Sequence, residues 1–118
     1  MESFFRIVTS NQWEEAQITG IIPKCSRDEQ KGVISVSQFL DLEYVCNKLF
    51  KADDYPLALE FAPDSYPDQL TWRRSEDKKL FRRGSLTIDY LAADLVLSVL
   101  GFEFQRSGKV GHKLRGEN

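Results

Sequence analysis

The stretch GVISVSQFLDLEYVCNKLF, residues 32–50, decides the fold. Val33, Ile34 and Val36 are β-branched residues behind a glycine, the content of a short interior strand. Ser37 then offers a helix N-cap. Downstream, Leu42, Val45, Cys46, Leu49 and Phe50 recur at i, i+3, i+4, i+7 and i+8, which puts all five on one face of a helix. A strand-to-helix turn is therefore expected at Ser35 to Gln38, with Ser35 and Ser37 on one face of the strand near the open N–H groups of the helix start. Such a turn suits a phosphate or a ribose, and it serves equally as a plain cap.

Working outward, 118 residues make one domain with room for a substantial core. Two cysteines, Cys25 and Cys46, are too few for a disulfide framework, and Cys46 falls on the apolar helix face, so a reducing, cytoplasmic setting is expected. His112 stands alone in a polar stretch with no CxxC or HxxxH partner, so no metal site is expected. The first ten residues carry no basic, apolar leader and no segment approaches a membrane span, so neither targeting nor a membrane partner is expected. Net charge is −2, yet Arg73, Arg74, Lys78, Lys79, Arg82 and Arg83 crowd together against Glu76 and Asp77. That block is the electropositive candidate surface.

Phe4 to Val8 reads as a first strand with Arg6 set among apolar residues; Thr9 and Gln12 fit a capping box for a helix that stops at Gly20. Residues 23–31, PKCSRDEQK, show no periodicity and read as a polar loop. Leu57 to Phe61 is a strand. Leu70 to Arg74 and Leu80 to Arg83 read as a hairpin that brings arginines of both strands together. Gly84 then releases the chain into Ser85 to Ile88, Asp89 caps one helical turn, Leu95 to Leu100 is a buried strand, and strand structure resumes at Phe102 to Phe104. The unit is residues 1–106, followed by a flexible basic tail, 107–118, holding an exposed His112. Two helices near the N-terminus and six or seven short strands with short connections give an α+β fold with a mostly antiparallel sheet. No GxGxxG or GxxxxGK[ST] is present.

The arginines of the hairpin suit phosphates, which guanidinium forks bind bidentately. A nucleotide-like small molecule fits them; nucleic acid is less favoured because the chain is acidic overall, and Trp72 and Phe81 serve as readily in a core or on a sheet face as for stacking bases. A solvated charged hairpin explains the same residues.

The blocks FFRIVTSNQWEEAQITGIIP, DEQKGVISVS, YPLALEFAPDSY, LTWRRSEDKKLF and SLTIDYLAADLVLSV together resemble the small bacterial family called domain of unknown function 952, from Phe4 to about Val99. The resemblance implies an ADP-ribosyltransferase-like fold, a split sheet whose cleft holds NAD or another nucleotide. It further implies an arginine, serine, glutamate trio of Arg6, Ser35 with Ser37, and Glu103; joined to the hairpin, this gives Arg6, Ser35, Ser37, Trp72, Phe81, Arg82 and Arg83 as the expected ligand-binding residues. The chain departs from the family pattern at its polar positions. Ser35 stands where the family has a histidine, Arg73 follows Trp72 where the family has a glutamate, and Arg83 replaces a second histidine. The departures imply a binding domain with weak or lost catalysis. An active NAD-dependent or 2′-phosphate transferase, and a non-enzymatic interaction module using the basic hairpin, are the other readings.

Overall fold

Strand β1 (Phe4–Thr9) is the element against which everything else is placed. A computed structural model describes residues 2–74, 82–105 and 111–114. In β1 the side chains alternate, so Phe4, Arg6 and Val8 share one face and Phe5 and Ile7 the other. The first face joins a core with Ile22, Ile34, Val36, Leu59, Phe61, Leu86 and Leu91. The second joins a smaller core with Leu42, Cys46, Ala58 and Phe102. Phe4 and Phe61 are register partners, and their rings stack at 5.2 Å.

The described strands are nine, every pairing is antiparallel, and they form three sheets. β1 lies at the edge of a four-stranded sheet with β4 (Pro56–Phe61), β8 (Val96–Gln105) and β9 (Gly111–Leu114). A three-stranded sheet places β6 (Arg82–Leu86) between β3 (Ile34–Val36) and β5 (Leu70–Arg74). β2 (Ile21–Pro23) and β7 (Tyr90–Ala92) pair separately. Among the described residues a bridge between Phe5 and Ser37 links the two larger sheets. The expected α+β architecture with a divided antiparallel sheet is what the chain forms.

Helix α1 (Ser10–Thr19) begins with the Thr9–Gln12 capping box, each side chain bonded to the other residue's N–H, and ends at Gly20. Helix α3 (Leu42–Leu49) lays Leu42 and Cys46 into the smaller core, where burial pushes the Cys46 thiol up to about 12 and keeps it protonated.

Several expectations are corrected. Ser37 does not cap the helix: its N–H and C=O bond to Phe5 across the bridge, at 2.9 and 2.8 Å, and the 3-10 turn Phe39–Asp41 starts after Gln38 instead. The polar stretch 23–31 is no loop, because it contains α2 (Ser26–Lys31), so the α-helices among the described residues number three. Gly84 does not release the chain; it sits inside β6, where a Cβ would come within 2.6 Å of Val36 and 2.9 Å of Trp72. Tyr90–Ala92 is a strand, not a helical turn, with a 3-10 turn behind it. β8 runs on through Gly101, and it leaves Leu97 and Val99 exposed rather than buried. The stretch read as a frayed tail contains β9, in which His112 is buried. Phe81, Leu80 and the rest of residues 75–81 lie outside the described residues.

Candidate functional site

Helix α2 owes its existence to one carboxylate. Asp28 accepts the Cys25 N–H at 3.1 Å, closing the helix start, and Gly32 ends it in the left-handed region at φ 74°. The same carboxylate accepts the Ser35 N–H at 3.3 Å and meets Arg6 through both Nη atoms, at 2.5 and 3.4 Å. Arg6 Nη1 also donates to the Ser35 carbonyl at 2.8 Å, and Arg6 Nε is buried without a hydrogen-bond partner among the described residues. Burial alone would raise the Asp28 carboxyl, but the Arg6 charge and these N–H donors outweigh it and hold it below the usual carboxylate range. β1, α2 and β3 are thereby pinned at one point.

Beside that point, where β1 and β3 part, opens a cleft of about 430 Å³. Its apolar wall is Phe5, Ile7, Val36, Val45, Leu49 and Phe50; its hydroxyls are Ser35 and Ser37. Its cations are Arg6, Arg27, Lys31, Lys48, Arg82 and Arg83. Among the described lining residues Asp28 is the one carboxylate, and Arg6 neutralises it. Lys31 shows the imbalance. Desolvation, then the Arg83 and Arg27 charges, lower its ammonium below the ordinary lysine value, outweighing the attraction of Asp28. Arg82 lays its guanidinium over the Trp72 ring at 4.9 Å and reaches Glu2 at 3.6 Å. A second cavity of about 270 Å³ lies against α1 and β2, floored by Val8, Ala16 and Ile22 and sharing Arg6 and Gln12 with the cleft.

Of the residues expected to bind a ligand, Arg6, Ser35, Ser37, Arg82 and Arg83 are brought together in this cleft. Trp72 is not; it packs against the larger core, half-buried beneath Arg82. Glu103 is exposed on β8 opposite Lys113 of β9 and is not among the cleft-lining residues. Sequence reasoning missed Arg27, Asp28 and Lys31. Their signal was the Cys25-to-Asp28 capping spacing closed by Gly32, which in a stretch without apolar periodicity is easily passed over. Among the described residues, no three His, Cys, Asp or Glu side chains gather as metal ligands, and no helix is long and apolar enough to cross a membrane.

Fold and site together define an α+β protein with a cationic cleft in its divided antiparallel sheet. Among solved structures the chain is similar to protein CC0527 of Caulobacter crescentus. The crystal structure of that protein superposes with a TM-score of 0.76 at 18% identity over 92% of each chain. Its solution NMR structure gives 0.73 at 19% identity, over 94% of this chain and 92% of that one. Likeness at this identity shows the fold alone. No family model and no curated protein matches the sequence.

Proposed function

We propose that this is a small ADP-ribosyltransferase-like domain that binds a nucleotide-like ligand in the cleft, NAD among the candidates, with catalysis weak or lost. The observation that carries the reading is the charge imbalance: beyond Arg6, which Asp28 neutralises, and Arg82, which reaches Glu2, the cations Arg27, Lys31 and Arg83 line a partly apolar cavity with no second carboxylate among its described lining residues. A phosphate supplies the missing counter-charge, and the apolar wall beside it takes a ring. The volume of about 430 Å³ falls within the range of small-molecule sites. Binding is favoured over turnover because a glycosyl transfer needs a carboxylate at the reacting carbon, whereas Asp28 is tied to Arg6 and Glu103 is outside the cleft lining.

The test is a thermal-shift series with AMP, ADP-ribose and NAD, repeated on Lys31→Ala and Arg83→Ala. A ligand at about 100 times its dissociation constant adds about 2.7 kcal/mol, which moves the midpoint of a domain this size by several degrees. The reading expects a shift that either substitution removes. No shift with any of the three at millimolar concentration would refute it.

A further inference from the structure

The electropositive surface does not end at the cleft mouth. Directly opposed residues of an antiparallel sheet share a face, and successive residues alternate between faces. Ser35 lies opposite Ser85, Ser85 opposite Thr71, and Arg83 opposite Arg73. These five therefore occupy one face of the three-stranded sheet. The other face carries Ile34, Val36, Gly84, Leu86, Leu70 and Trp72, which pack on the larger core, and at its end a second opposed pair, Arg74 and Arg82, with Arg82 over the Trp72 ring. Ser35 and Arg83 line the cleft together with Val36, Arg82 and Gly84 of the opposite face, so the cleft lies at this end of the sheet and the polar face adjoins it through Ser35 and Arg83. Arg73, Arg83 and Thr71 are exposed, with Ser35 and Ser85 half-buried.

Two features set this face apart from an ordinary solvated surface. Arg73 and Arg83 are like charges directly opposite each other, an arrangement that destabilises a sheet. No hydrogen bond or ion pair joins either to a carboxylate among the described residues; the charge felt across from Arg83 is that of Lys31, another cation. Second, the five side chains are all hydroxyls or guanidinium forks. A protein partner needs apolar or aromatic anchors at the centre of its interface, and this face offers none among the described residues. A phosphodiester chain needs none, since it is held by cations that release its counterions and by hydroxyl and guanidinium donors to phosphate oxygens.

We infer that the ligand of this protein is the end of a single-stranded nucleic acid, its terminal nucleotide in the cleft and its following phosphates on the Ser35, Thr71, Arg73, Arg83 and Ser85 face. This rests on the nucleotide reading of the cleft and extends it. Recognition is of the backbone, because Trp72 is turned into the core and gives the bases no platform on this side.

The experiment measures the affinity of the full chain for AMP, for a short single-stranded RNA and its DNA counterpart, and for an acidic peptide of the same charge. Each is taken between ~50 and ~200 mM salt, on the wild type, Arg73→Ala and Lys31→Ala. Expected are nucleic acid binding at least ~10-fold tighter than AMP at low salt, and a log–log salt slope that is shallower in Arg73→Ala by about 0.7 for each phosphate that Arg73 neutralises. AMP affinity should be unchanged in that variant. Nucleic acid no tighter than AMP, a slope indifferent to Arg73, or an acidic peptide bound as tightly would each overturn the inference while bound AMP preserved the cleft reading. Nucleic acid held through Arg73, without AMP binding and without effect of Lys31→Ala, would uphold the face and refute the cleft.

Discussion

Arg6 and Asp28 form a forked ion pair whose side chains are 11% and 2% exposed, linking a strand that crosses both cores to a helix with no apolar stripe. The pair is the fastening of α2, and α2 carries two of the cleft's cations, Arg27 and Lys31. Removing one partner leaves the other charge buried and uncompensated, which costs far more than the pair itself contributes. Asp28→Asn should therefore destabilise the protein by about 3 kcal/mol, read from urea unfolding. A loss below about 1 kcal/mol, the value of an exposed pair, would show that Arg6 finds water instead.

The same pair sets a pH dependence. Asp28 and Glu60 both titrate below their ordinary values in the folded chain, Glu60 because Ser3 and Ser98 donate to it. A depressed carboxyl adds stability that is fully present above its unfolded value, 3.8 for Asp28 and 4.5 for Glu60, and is lost as pH falls through the folded value. Thermal midpoints should hold steady above about pH 5 and fall below it. Asp28→Asn should flatten that fall; an unchanged slope would remove Asp28 as its source.

Gly84 makes a packing prediction. The central strand of the three-stranded sheet passes so close to Val36 and Trp72 that an added methyl group meets both. Gly84→Ala should cost about 1–3 kcal/mol from overpacking, and Val36→Ala in the same chain should recover part of it. Additive losses in the double variant would mean that the methyl group strains the strand and not its neighbour.

How far the residues themselves announced this depends on what held each element. β1, the Thr9–Gln12 box, β5 and the Leu42, Val45 and Cys46 part of the α3 stripe were legible because apolar alternation and capping are local signals; the stripe's far end was not, since Leu49 is exposed and Phe50 lies beyond the helix. α2 was not, since periodicity registers apolar burial and this helix buries an ion pair whose partner lies 22 residues away. Gly84 read as a breaker because glycine marks turns and close approaches alike, and only the neighbouring strand decides which. Gathering Ser35, Ser37, Arg82 and Arg83 in one cleft follows from their strands, whereas the stations of Trp72 and Glu103 depended on register that no spacing reveals.

β9 offers a sharper case of a distant tie. Asn47 of α3 accepts the His112 N–H, donates to the His112 carbonyl at 3.2 Å, and lies 3.1 Å from its Nδ1, while Phe102 and Phe104 pack edge-on against the ring. Asn47→Ala should unfasten this strand locally. The His112 and Leu114 amides should lose protection from hydrogen exchange while those of β1 and β4 keep theirs. Unchanged exchange at His112 would place the hold on β9 in its pairing with β8 and in Glu43, which accepts the Leu114 N–H and meets Lys113.

The last prediction concerns the cost of keeping the cleft charged. Lys31 titrates below the ordinary 10.5 because of desolvation and then of Arg83 and Arg27. For a lysine lowered in this way the folded state is penalised at every pH below its folded value, and the penalty eases as pH rises through that value towards 10.5. Lys31→Met should thus raise the thermal midpoint of the free protein at neutral pH while weakening the phosphate ligand about tenfold, or ~1.4 kcal/mol. Stability gained where binding is lost is the signature of a site held against its own repulsion for a ligand. A midpoint that falls with the substitution would show the Lys31 stem to be packing, and the repulsion to be too well screened to matter.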